Sequence, residues 1–88
     1  MMIVDLRMTN DLEDYQNATT WHDKVRIISL YHYGQVASRD VWLIADTAKY
    51  FGLSNSTIAE NLQIAKKLSE LKMIGSRNKA LKRLRGII

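Results

Sequence analysis

The chain has no cysteine, no proline and only four glycines in 88 residues. Without cysteine there is no disulfide framework and no thiolate metal site, which fits a reducing cytosol. Without proline, helix ends must be marked by glycine and small polar residues. The apolar runs fall far short of the ~20 residues a membrane helix needs. The opening MMIVDLRM carries Asp5 early and lacks a small-residue cleavage site, so it does not read as a signal peptide. Repeats and low-complexity tracts are absent as well. What is present is apolar content: 47% of the residues are hydrophobic, which argues against wholesale disorder. The length fits one small domain with a thin stability margin.

Acidic residues thin out along the chain. Residues 1–42 hold four Lys/Arg against six Asp/Glu, a net of −2, whereas residues 43–88 hold nine against three, a net of +6. A basic half of this kind gathers phosphate backbones through counterion release; the plainer reading is a solvated basic surface.

The chain divides into an N-terminal arm or short extra element over 1–19 and a domain over 20–88. Ile3–Met8 reads as a short strand or irregular arm, Asp11–Tyr15 as one helical turn, and Asn17–Thr20 as a break. Thr20 can cap a helix, with Asp23 three residues on in the manner of a capping box. Trp21, Val25, Ile28 and His32 recur at helical spacing, and Gly34 is the expected end, followed by a polar connection over 34–41. A second helix follows Trp42, with Ile44, Thr47, Ala48 and Phe51 on one face.

The stretch Asp46–Leu68, DTAKYFGLSNSTIAENLQIAKKL, has the pattern of two helices in a helix-turn-helix. Ala48 is small where the helices would cross, and Gly52 can take the positive φ of a sharp turn. Ser54 can cap the next helix, on which Ile58, Leu62 and Ala65 face inward. The opposite arc holds Ser56, Ala59, Glu60, Gln63, Lys66 and Lys67. Short side chains, hydroxyls and amides on such an arc suit a major groove. The candidate DNA-contacting residues there are Ser54, Asn55, Ser56, Thr57, Gln63, Lys66 and Lys67. Glu60 sits awkwardly among them, since an acid repels phosphate. Asn61 points inward and should bond a neighbouring backbone group, which makes it structural.

After an ambiguous segment over 69–75, Ser76 can cap a last helix with Ala80, Leu81 and Leu84 inward. Arg77, Lys79, Lys82, Arg83 and Arg85 place five positive charges in nine residues. Such crowding destabilises an isolated helix, and phosphate would relieve it. These five complete the candidate DNA-binding set.

Trp42, then TAKYFGLSNSTIAENLQIAKKL, then SRNKALKRL, resembles the helix-turn-helix region of the ParB/KorB partition proteins. Ile58, Asn61, Leu62, Ile64 and Ala65, with Arg77, Ala80 and Leu81 downstream, carry the likeness, which covers about residues 21–85. It implies a stand-alone DNA-binding module of phage or plasmid type. The arginine-rich nucleotide-binding motifs of ParB proteins have no match, so CTP hydrolysis and clamp behaviour are not implied.

The expectation is therefore an all-α protein, a small helix-turn-helix bundle of four to five helices with an N-terminal arm. It would bind double-stranded DNA sequence-specifically in the bacterial or host cytosol, associated with the nucleoid. The role would be that of a phage or mobile-element regulator of transcription or a replication/partition accessory factor. One module reads few base pairs, so a homodimer is expected, with the acidic N-terminal third and its apolar arm Met1–Met8 as the place of self-association. A protein-binding adaptor that captures a host transcription or replication protein is the alternative. No membrane partner, cofactor or metal is expected: His22 and His32 lie ten residues apart without a carboxylate at ligand spacing. No catalytic residues emerge, so the chain reads as non-enzymatic.

Overall fold

The computed structural model describes residues 11–87, so the expected strand or arm at Ile3–Met8, and the Met1–Met8 part of the expected self-association region, lie outside the described residues. The described secondary structure is all helical: α1 (residues 11–17), α2 (Trp21–Ser38), α3 (Ile44–Phe51), α4 (Asn55–Lys66), α5 (Leu68–Leu71) and α6 (Arg77–Ile87). None of these helices is long and apolar enough to cross a membrane.

Each boundary has a local cause. Thr20 is extended (φ −117°, ψ 152°) and its hydroxyl accepts from the Asp23 N–H at 3.2 Å, satisfying a first-turn donor of α2. α2 does not stop at Gly34 as expected; it runs on to Ser38, so the connection is residues 39–43. Among the described residues only Gly52 has a positive φ, so Gly34 supplies no left-handed stop. Past it, Arg39 Nε donates to Gln35 Oε1 at 2.6 Å across one helical turn.

The Leu43 N–H donates to the Asp46 carboxylate at 2.9 Å at the start of α3. Gly52 (φ 71°, ψ 34°) closes that helix, and the Leu53 N–H returns to the Ala48 carbonyl at 2.9 Å. Ser54 caps α4 by accepting from the Thr57 N–H at 3.1 Å. Lys67 (φ −117°, ψ 22°) leaves helical geometry and splits off the single turn of α5. That break resolves the segment over 69–75 and gives six helices among the described residues, against the four to five expected. Ser76 accepts from the Lys79 N–H at 3.2 Å and so starts α6.

The core forms two clusters with α4 between them. Ile58 and Leu62 pack with Ile28 of α2 and with Ala48 and Phe51 of α3; Leu12 and Tyr15 of α1 cover that side. Ile64 packs with Val25, Leu71, Ala80 and Leu81, which docks α6. α4 is thus buried along an arc wider than the Ile58–Leu62–Ala65 stripe read from the sequence. Trp21 ties the second cluster by donating from Nε1 to the Ile74 carbonyl at 2.8 Å.

Thr47 is fully buried and is the polar hub of the α2–α3 contact. Its Oγ1 accepts from Trp42 Nε1 at 2.8 Å and lies 2.7 Å from His32 Nδ1. Burial pushes the pKa of His32 below its usual 6.5. In the unfolded chain the imidazole recovers that ordinary value, so below it the unfolded state binds more protons. Stability is therefore expected to be level above about pH 7 and to fall as the pH drops through 6.5. Urea denaturation at pH 7.5 and pH 5.5 (roughly a unit to either side) measures the loss. A His32→Gln variant with the same pH dependence would show that another group carries it.

Candidate nucleic-acid interface

At about 100° per residue, Asn55, Lys66, Ala59, Gln63 and Ser56 fall on one arc of α4, turned away from Ile58 and Ile64. Asn55, Ser56, Gln63 and Lys66 are exposed on it, and half-buried Ala59 at its centre leaves the backbone approachable. Lys67 is exposed at the C-terminal end. The arc begins at a helix N-terminus, where unpaired N–H groups favour an anion.

Ser54 and Thr57 are already employed at that terminus. Besides its capping bond, the Ser54 hydroxyl donates to Thr57 Oγ1 at 2.9 Å, and Thr57 is half-buried. Of the sequence-derived residues on this helix, Asn55, Ser56, Gln63 and Lys66 are the exposed ones whose polar groups make no side-chain bond among the described residues.

α6 runs beside this arc. A shallow groove lined by Gln63, Lys66, Lys67 and Leu84 marks where the two helices meet at the surface. Ala80, Leu81 and Leu84 point inward as expected. Lys79, Lys82 and Arg83 lie on the outer side, exposed and with no ion pair among the described residues.

Arg77 and Arg85 are placed differently from the other cations. Arg77 Nη1 lies 3.3 Å from Glu60 Oε1 and 3.2 Å from Asn61 Oδ1, and Arg85 Nη2 lies 3.3 Å from Glu60 Oε2. Glu60, the one acid on α4 and α6, is therefore held between two guanidinium groups on the α6 side. Its apparent conflict with a phosphate-facing surface disappears. Asn61 is structural, as expected, but its recorded partner is the Arg77 side chain rather than a backbone group. α6 packs close enough to bring the guanidinium onto its carbonyl oxygen. Helical spacing carried a signal for Arg77: it precedes Ala80 and Leu84 by three and seven residues, on the inward stripe of α6.

The Glu60 and Arg77 side chains are only 28% and 30% exposed, so this is more than a surface pair. Glu60→Ala should lower stability by about 1–2 kcal/mol, on the scale of hydrogen bonds to charged groups. Amide protection in α6 should fall first. Unchanged exchange rates in α6 would show that the bridge does not hold that helix.

No protein-family model, curated protein or solved structure matches the chain.

Proposed function

We propose that the protein binds double-stranded DNA through its helix-turn-helix, as a module similar to that of the ParB/KorB proteins. α4 enters the major groove, α3 braces it across the backbone and α6 holds phosphates. The observation that carries this reading is the join between two surfaces. The arc of α4 bearing Asn55, Ser56, Gln63 and Lys66 opens beside a helix whose outer side bears Lys79, Lys82 and Arg83. The only acid on the two helices is neutralised by arginines. Exposed amides and hydroxyls on α4, with cations on the outer side of the adjoining α6, fit a division of DNA recognition into base readout and phosphate positioning. A regulator or a replication/partition accessory factor of a phage or mobile element would use such a module.

Duplex binding across a salt series tests the reading. Contacts from Lys66, Lys67, Lys79, Lys82 and Arg83 would give a slope of log affinity against log salt near −4.5, at about −0.9 per neutralised phosphate. Absence of binding at ~50 mM salt, where backbone contacts are least screened, would sink it.

A further inference from the structure

The C-terminal half of α2 is apolar on two opposite sides. Val25, Ile28 and His32 lie on the buried side. At about 100° per residue, the opposite side carries the Asp23–Arg26 ion pair in its N-terminal half and Leu30, Tyr33, Gly34 and Ala37 beyond it, with Val36 nearer the buried side. Leu30 is 63% exposed, Tyr33 46% and Val36 45%. Beyond the helix, Val41 and Leu43 are exposed as well. A surface helix normally turns polar residues outward.

Gly34 has no local reason to be glycine. It lies inside the helix without positive φ, and a Cβ added there would meet nothing within 4 Å. Glycine at such a site costs about 1 kcal/mol relative to alanine. Close approach by a second backbone would account for it.

We infer that this side of α2 is the interface of a homodimer, in which a second copy of the chain packs its α2 antiparallel on a two-fold axis between Tyr33 and Gly34. In that register Leu30 meets the partner subunit's Ala37 and Tyr33 meets the partner subunit's Gly34. A large side chain faces a small one at every central contact, twice over by symmetry. The charges agree with the same direction. Arg26, which bonds Asp23 at 3.3 Å on its own helix, lies toward one end of the stripe and Asp40 just past the other; both are exposed, and Asp40 has no ion pair among the described residues. An antiparallel copy brings Arg26 near the partner subunit's Asp40, whereas a parallel copy would set Arg26 against Arg26. A standard interface takes about 800 Å² from each partner. The central stripe supplies the apolar centre, and the charged ends supply a polar rim. The interface does not depend on DNA binding; where both hold, the two-fold duplicates the recognition helix and predicts an inverted-repeat site.

Sedimentation equilibrium of the full chain without DNA, over micromolar concentrations, tests the dimer. A monomer–dimer equilibrium is expected. Gly34→Gln should keep the helical circular dichroism, raise the melting temperature of dilute protein, and weaken dimerisation tenfold or more. Arg26→Asp and Asp40→Arg should each weaken the dimer, and the double variant should restore it. A chain that stays monomeric throughout overturns the inference. So does a dimer that Gly34→Gln leaves intact.

Discussion

Ile64→Ala is expected to lower the unfolding free energy by about 2–5 kcal/mol, the range for removing a buried branched side chain and leaving a cavity. Ile64 is fully buried, and its neighbours come from three other helices: Val25 of α2, Leu71 of α5, and Ala80 and Leu81 of α6. None of these can collapse into the space alone, because each is fixed by its own helix. For a domain whose whole stability is on the order of 5–15 kcal/mol, the loss is a large fraction. Met73→Ala makes the contrast: Met73 is 86% exposed, and its truncation should change stability by less than about 0.5 kcal/mol. Urea denaturation of both variants measures the difference. An Ile64→Ala loss below about 1 kcal/mol would mean that the α4–α6 side is not close-packed.

Ile64 also marks where sequence pattern stops being sufficient. The turn was legible because its chemistry is local: only a residue at ease with positive φ suits Gly52, and Ser54 and Ser76 cap helices through bonds spanning three residues. The stripe of Ile58 and Leu62 was legible because one-sided burial produces a periodic pattern. α4, however, is gripped from two directions, and its second buried side mixes Ile64 with Asn61, which breaks the apolar period. Gly34 misled for a related reason. A glycine reads as a helix end, and nothing in the neighbouring residues announces that the chain continues helically past it.

The candidate interface was legible as a set of residue types and less so as a division of labour. Composition cannot distinguish Arg77 from Lys79, since both are cations on the same short helix. The distinction arises from where α6 lands on α4: Arg77 reaches Glu60 and Asn61, while Lys79 remains outside. Ser54 and Ser56 are both exposed, but Ser54 is tied to the helix terminus as the cap the sequence suggested, while Ser56 is free of side-chain bonds among the described residues. The local cap and the tertiary contacts together narrow the twelve sequence-derived candidates to eight exposed groups without a structural tie: Asn55, Ser56, Gln63, Lys66, Lys67, Lys79, Lys82 and Arg83.

That narrowing gives the proposed DNA reading its sharpest expected result. Replacing Lys82 and Arg83 together by alanine should weaken binding to every duplex alike and reduce the salt slope by about 1.8, two phosphates at ~0.9 each. Because both side chains are exposed and unpaired among the described residues, the fold should lose less than about 0.5 kcal/mol per site. Gln63→Ala should behave oppositely. It should leave the slope unchanged and relax preference at one base pair, by about 1–3 kcal/mol for a lost bidentate contact. Arg77→Ala should differ from both, destabilising the protein because Glu60 and Asn61 lose a half-buried partner. Titrations of the three variants against a preferred and a scrambled duplex at several salt concentrations separate these effects. If Gln63→Ala lowered affinity for both duplexes equally, α4 would be holding the backbone rather than reading bases. If the double variant kept the full slope, the phosphates would be held elsewhere, and the cationic side of α6 would be a solvated surface.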